Sequence, residues 1–148
     1  MVLDPFTALG LAGNVVQFVD FGSKLVSEAR DIYRSTSGNS TRNAQLLNSA
    51  GSFRRLSDHL AESAAKAPFP SQDQDDLTQF AESCRKTVDE LIRILEGLTV
   101  NSPNRKWRSI QQASRAALKR GKIDELATRM DRLRSEMCVR LMTMFRYV

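Results

Sequence analysis

Apolar residues dominate the first predicted helix more completely than a single amphipathic stripe requires. Asp4 followed by Pro5 predicts a helix start, because aspartate caps the first amides and proline lacks the amide that would stay unpaired there. Over residues 6–21 the strongly polar residues are few: Asn14, Gln17 and Asp20. Beyond Gly22 the pattern becomes ordinarily amphipathic. We therefore expect a helix over about 4–34, with Gly22 kinking it or ending its apolar half.

Apolar residues at three- and four-residue spacing predict the rest of the chain to be helical as well. The further helices are expected over residues of about 41–66, 72–99, 104–120 and 122–147. Gly121 is the predicted break between the last two, and the acidic residues at 73, 75 and 76 suit the first turn of the third. The second helix has an apolar stripe of Leu46, Ala50, Phe53, Leu56 or Ser57, and Leu60. The fifth has a heptad-like seam of Ile123, Leu126, Met130, Leu133, Met137, Leu141 and Met144.

Composition supports this reading and places the chain in the all-α class. With 148 residues, 41% of them hydrophobic and 26% charged, it has the size of one globular domain. Because the predicted loops are short, consecutive helices should be antiparallel neighbours. We expect a single domain over residues 1–148, an up-and-down four-helix bundle with an additional short or broken helix. The last residues are still in helical register, which suggests a domain cut from a longer protein.

Positive charge is concentrated in the last third of the chain. The net charge is +5, yet residues 1–103 hold 10 Lys and Arg against 13 Asp and Glu, and residues 104–148 hold 12 against 4. Seven cations without an intervening acid form a candidate contact for anionic lipid, nucleic acid or an acidic protein face: Arg105, Lys106, Arg108, Arg115, Lys119, Arg120 and Lys122. The alternative is a solvated helix face. One tryptophan and two tyrosines offer little stacking surface, which disfavours nucleic acid.

Residues that usually carry catalysis or bind metals are scarce. His59 has no second histidine to partner it, so a surface or capping role is expected. Cys84 and Cys138 lie on or near apolar stripes, as buried core thiols often do. The methionines of the last helix, Met130, Met137, Met142 and Met144, are expected to fill the core rather than to form a partner-binding surface. We expect neither an enzyme nor a bound metal or cofactor.

The first helix is the sharpest functional signal. Residues 6–26 number 21, and at a rise of about 1.5 Å per residue they match the roughly 30 Å of a bilayer core. Asn14, Gln17, Asp20 and Lys24 would be costly in hydrocarbon, so a lone resting transmembrane helix is not credible. A central bundle helix, buried on several sides, explains the same pattern. Both interpretations hold if the helix is packed at rest and released on activation.

The chain also resembles a known family in several blocks of sequence. Residues 4–26 (DPFTALGLAGNVVQFVDFGSKLV) and 29–33 resemble the N-terminal HeLo-like domain of fungal NOD-like receptors and related STAND proteins. Residues 106–110, then Lys122, Ile123 and 126–133, and finally 139–141 resemble its second half. The resemblance implies a helical bundle related to that of mixed-lineage kinase-like proteins, a role in cell-death execution, and membrane permeabilisation by the released first helix. On this chain that role would fall on Phe6, Leu9, Leu11, Val15, Val16, Phe18 and Val19.

The resulting expectation is a non-enzymatic effector domain that oligomerises on activation and engages anionic membrane lipids. It would be cytoplasmic at rest and at the plasma membrane when active. In receptors of this kind the domain precedes a nucleotide-binding oligomerisation domain, of NACHT or NB-ARC type, and a repeat domain. The alternative is an adaptor that recruits a separate effector by homotypic or heterotypic contacts while the first helix stays buried.

Overall fold

The chain folds into long α-helices that pack as a bundle. The computed structural model describes the backbone of residues 5–34, 40–65, 72–96 and 105–146, and within these ranges the side chains of 10–34, 42, 44–64, 72–96 and 118–146. The described ranges form four helices and contain no strand: α1 (Pro5–Arg34), α2 (Ser40–Ala65), α3 (Gln72–Glu96) and α4 (Arg105–Met144). The all-α prediction and the four-helix bundle are confirmed.

Residues that favour helix N-termini, proline and aspartate, stand at the starts of α1 and α3. Pro5 is the first residue of α1, as predicted, while the proposed cap Asp4 lies outside the described residues. Asp73 and Asp75 occupy the first turn of α3, where negative charge complements the positive end of the helix. No such acids stand in the first turn of α4.

The glycine that was predicted to separate the last two helices, Gly121, does not interrupt α4. The break at Gly121 is wrong, because α4 runs from Arg105 to Met144 as one helix and no glycine among the described residues has a positive φ. A glycine inside a helix costs only about 1 kcal/mol relative to alanine, which the packing of a long helix outweighs. The predicted fourth and fifth helices are therefore one element. α1 likewise continues through Gly22.

The helices are arranged with α1 and α3 at the centre. α1 packs against α2, α3 and α4, and α3 also packs against α2 and α4, whereas α2 and α4 do not contact each other along their described lengths. The bundle is therefore flattened, with α2 and α4 on opposite sides of the α1–α3 pair. One face of α1, the face turned away from α3, lies open between α2 and α4.

The core is continuous through the bundle and matches the predicted stripes. Its least accessible side chains come from all four helices: Val15, Val19, Ala29, Phe53, Cys84, Val88, Leu91 and Ile123. The ring of Phe53 stacks on Phe18, with centroids 4.3 Å apart, and makes a tilted contact with Phe21. On α2 the structure decides between the two candidates for the stripe, since Ser57 is buried and Leu56 is 48% exposed.

Candidate functional site on the first helix

The apolar stretch of α1 is packed inside the bundle. Val15, Phe18 and Val19 are buried, at 1%, 4% and 0% exposure. Leu11 and Val16 are partly buried and pack against the same core, and the side chains of Phe6 and Leu9 lie outside the described residues. The structure thus brings together the described members of the predicted membrane-insertion set, but as core residues rather than as a surface.

Gly22 allows α1 and α3 to approach closely. A Cβ atom placed on residue 22 would lie 2.5 Å from Sγ of Cys84, 3.1 Å from the ring of Phe53 and 3.3 Å from Val88. The Cys84 thiol in turn donates a long hydrogen bond of 3.9 Å to the carbonyl oxygen of Phe18. Burial raises the pKa of this thiol to about 12, so at neutral pH Cys84 is a protonated core residue, and the prediction of a buried thiol is confirmed.

Ion pairs connect α1 to α4 along their exposed seam. Arg34, the last residue of α1, lies 3.3 Å from the carboxylate of Asp124. Arg134 lies 3.6 Å from Asp20 and donates a hydrogen bond of 3.4 Å to Ser23. All these charged groups are well exposed, so each pair is worth at most about 1 kcal/mol. The core, rather than these pairs, holds α1 in the bundle.

Between residues 10 and 17, where the side chains are described, the open face of α1 is polar and has no charged residue. Gly10, Gly13, Asn14 and Gln17 are all exposed. Beside them runs a groove between α1 and α2 with a volume of about 230 Å³, which we call the α1–α2 groove. Its lining consists of Asn14, Gln17, Phe18, Leu56, His59, Leu60 and Ser63. His59 is therefore a surface residue, as predicted.

A second cavity, of about 280 Å³, lies between α1, α2 and α3 and has a charged side. There Arg85 is hydrogen-bonded to Glu82 at 2.5 Å and to Asp89 at 3.4 Å. The bond from Arg85 lowers the pKa of Glu82, and the same bond raises the pKa of Arg85. The guanidinium is thus already engaged. Over the described residues no group of three or more His, Cys, Asp or Glu side chains could hold a metal ion.

The predicted basic patch is only partly within the described side chains. Arg120 and Lys122 are exposed and Lys119 is half-buried. Arg120 lies about 100° around the helix from Lys119, and Lys122 lies in a groove with Glu90 and Glu125. The side chains of Arg105, Lys106, Arg108 and Arg115 lie outside the described residues.

The last turns of α4 expose an apolar surface that the sequence did not predict. Met130 and Met137 are buried, as expected, but Met142 is 69% exposed and the nearby Val139 is 65% exposed. Cys138, expected in the core, is exposed as well. The reason is register: the seam from Ile123 to Met144 faces α1 and α3, and these three residues lie off it. Their positions outside the apolar seam could have predicted this exposure from the sequence.

Neither a membrane-spanning helix among the described residues nor a similar known protein was found. Within the described parts of the four helices, no stretch is long and apolar enough to cross a membrane. No protein-family model, no curated protein and no solved structure matches this chain.

Proposed function

We propose that this chain is a non-enzymatic effector domain of the fungal NOD-like receptor type, which triggers cell death by self-association and by delivering α1 to a membrane. The resemblance of residues 4–26 and 29–33 to the N-terminal domain of those receptors supports the assignment. The observation that carries it is the central position of an unusually apolar helix at the N-terminal end of the chain.

Burial of α1 supplies the resting state that this mechanism needs. Val15, Val19 and Val26 are each at most 1% exposed, so the apolar surface of α1 is withheld from lipid. Release costs free energy on the scale of domain stability, about 5–15 kcal/mol, because α1 contacts every other helix. A membrane that accepts these side chains offsets part of that cost, since apolar burial is worth about 25 cal/mol per Å². Assembly of several copies would supply further free energy.

The experiment is liposome leakage by a chain whose α1 can be locked in place. Gly22→Cys introduces a thiol beside Cys84, and their Cβ atoms would be no more than about 4.3 Å apart, within the span of a disulfide. The variant is made with Cys138→Ser, so that the exposed thiol cannot cross-link copies. A fused oligomerisation tag brings copies together on dye-loaded vesicles with and without anionic lipid. We expect leakage from the reduced protein and none from the oxidised one.

A matched control separates the effect of the disulfide from the steric effect of the added Cβ atom. Gly22→Ala, also with Cys138→Ser, places the same Cβ against Cys84 but cannot form the bond. It should leak equally with and without oxidant, and mass spectrometry verifies the disulfide in the locked variant. Equal leakage by the oxidised and reduced locked protein would show that α1 is not released. If the tagged wild-type chain causes no leakage on any vesicle, the membrane role is wrong.

A second candidate is an adaptor whose α1 stays buried while surface contacts recruit another protein. The exposed polar side chains of Asn14 and Gln17 on α1 favour it. An adaptor should keep its full activity in a cell-death assay when Gly22→Cys is oxidised. An executioner should lose it.

A further inference from the structure

The cavity between α1, α2 and α3, which we call the three-helix cavity, has mostly apolar walls. Its volume is about 280 Å³. A water molecule's share of liquid volume is about 30 Å³, so the space corresponds to about nine groups of the size of a water or a methylene. The apolar lining comes from all three helices: Leu11, Val15, Leu60, Ala61, Ala64 and Ala81. The cavity therefore has room for a short aliphatic chain.

A buried hydroxyl without a partner in the chain lines this cavity. Ser57 of α2 is only 8% exposed and belongs to the lining. Its hydroxyl makes no hydrogen bond with any other described residue. The second hydroxyl of the lining, that of Thr78, already donates to the carbonyl oxygen of Gln74 over 2.8 Å. Buried polar groups normally have a hydrogen-bond partner, so the partner of Ser57 must come from outside the chain.

The charged groups at the cavity leave one carboxylate without an ion pair. Arg85 is bonded to Glu82 and Asp89, and Asp89 also lies 3.5 Å from Arg54. Asp58 is exposed at the mouth and forms no hydrogen bond or ion pair with another described residue, although its charge acts on Arg85 from a longer distance. Three acids thus stand against two arginines that are both engaged. A cation would find a free carboxylate here, whereas an anion would find no free cation.

We propose that the three-helix cavity binds an aliphatic primary amine, with the chain among the apolar side chains and the ammonium group between Ser57 and Asp58. An ammonium group has three donors, so it can bond to the hydroxyl oxygen and to the carboxylate at the same time. The cavity also touches Leu11 and Val15 of α1, so a bound amine favours the packed position of that helix. The binding site depends only on the cavity, and only this effect on α1 rests on the proposed function.

Nuclear magnetic resonance titration of the 148-residue chain with hexylamine tests the site. Even an inefficient ligand with the seven heavy atoms of hexylamine binds at about 30 mM. We expect shift changes that saturate near or below this concentration and are centred on the amides of Ala61 and Ala81. Hexanol, which lacks the charge, should bind about three- to fivefold more weakly, and hexanoate more weakly still, because its carboxylate would meet Asp58. The proposal is overturned by changes that do not saturate, by changes centred elsewhere, or by equal binding of hexanoate.

Removal of either polar partner should weaken amine binding without weakening the fold. Ser57→Ala deletes a hydroxyl that has no partner in the protein, so the urea midpoint should not fall, while hexylamine should bind about three- to tenfold more weakly. Asp58→Asn should also weaken hexylamine and leave hexanol unchanged. Ser63→Ala and Glu62→Gln are the controls, since both residues are exposed on α2 outside the lining. If both cavity variants bind hexylamine as the wild type does, the ammonium site is wrong.

Filling the cavity should remove binding altogether. Ala61 is an exposed residue of the lining, so Ala61→Leu can fold while its larger side chain occupies the space. The saturable shift changes should disappear in this variant, and hexylamine should raise the urea midpoint of the wild type only. Ala44→Leu changes an exposed alanine of α2 outside the lining and should bind normally. Unchanged binding by Ala61→Leu would show that the amine binds elsewhere.

The outcome is separable from that of the leakage experiment, which contains no amine. A chain that does not bind hexylamine can still cause leakage, and this would contradict only the cavity site. A chain that binds hexylamine and never causes leakage would contradict the membrane role and not the site.

Discussion

Gly22 lets a central helix approach its neighbour closely enough for the thiol of Cys84 to reach the carbonyl of Phe18. Atoms of Cys84, Phe53 and Val88 occupy the space that a Cβ atom on residue 22 would need. Such close packing makes the site sensitive to a single added carbon. Other glycines of α1, such as Gly13, face open space and should respond in the opposite way.

Gly22→Ala should lower the free energy of unfolding by about 1–3 kcal/mol, because the new methyl group would overlap Sγ of Cys84. The measurement is urea denaturation followed by circular dichroism. Combining it with Cys84→Ala should make the cost of the methyl group smaller, since the overlapping sulfur is then absent. Gly13→Ala is the matched control and should raise stability by about 0.5–1 kcal/mol, as alanine favours a helix. Equal effects at the two glycines would contradict the close approach of α1 and α3.

At the scale of elements, α4 is the helix whose length and contacts differ most from expectation. It runs for 40 residues, and its positively charged side chains reach both central helices. Arg134 contacts α1 at Asp20, and Arg129 contacts α3 at Glu90 over 3.0 Å. Arg140 contacts the first turns of α3 through Asp73 and Asp76. One continuous helix thus connects both ends of the bundle.

Gly121→Ala tests this continuity. The residue is exposed, and its added Cβ would meet nothing within 4 Å. Alanine should therefore stabilise the protein by about 0.5–1 kcal/mol, measured by urea denaturation. A glycine that ended one helix in a left-handed conformation would give the opposite sign, because alanine is strained there. If the substitution instead lowers stability, the prediction of a helix break at Gly121 would be supported.

Arg140→Gln tests the contact between α4 and α3. Hydrogen bonds from Gln72 and Arg140 hold the pKa of Asp76 below its ordinary value of 3.8. A lowered pKa contributes stability that is present above the unfolded value and is lost as the pH falls through the folded one. Without Arg140 the pKa of Asp76 should rise, as nuclear magnetic resonance titration would show. Arg132→Gln, at an exposed position of α4, should leave it unchanged.

The same pair predicts how stability changes in acid. Between about pH 5 and pH 2, the difference in unfolding midpoint between wild type and Arg140→Gln should shrink, because protonated Asp76 no longer attracts Arg140. A difference that stays constant over this range would show that Arg140 acts through packing alone.

At the scale of the whole molecule, α1 holds the bundle together. α2 and α4 do not contact each other over their described lengths, so each depends on α1 and α3 for a partner. The exposed ion pairs add little, and the apolar core is shared by all four helices. Removing α1 from the bundle is therefore a global change rather than a local one.

Deletion of residues 1–22 should abolish cooperative unfolding, because Val15, Phe18 and Val19 leave the core. Near-ultraviolet circular dichroism and urea denaturation provide the measurement. Deletion of residues 1–4, which precede α1, is the control and should keep the transition. A truncated chain that still unfolds cooperatively would mean that α2, α3 and α4 form a bundle without α1. The locked Gly22→Cys variant is for this reason a better leakage control than truncation.

Most of the helices and the core could be predicted from the sequence, because their signals are local. The spacing of Leu77, Cys84, Val88 and Leu91 places one stripe of α3 inside, and these residues are buried. Leu56 and Ser57 could not be separated in this way, since adjacent residues fit a helical stripe about equally well. The α1–α2 groove could not be predicted either, because its lining comes from two helices far apart in sequence.

The sequence alone determined the helical class, the apolar character of α1 and the core-facing seam of α4, since periodicity along the chain fixes which residues share a face. Tertiary structure decided the rest. It kept α4 continuous through Gly121, left Cys138 and Met142 exposed, and opened one face of α1 between α2 and α4. Each of these depends on which helices become neighbours. Burial is a property of the assembled surfaces, and periodicity along a single helix does not specify what will cover it.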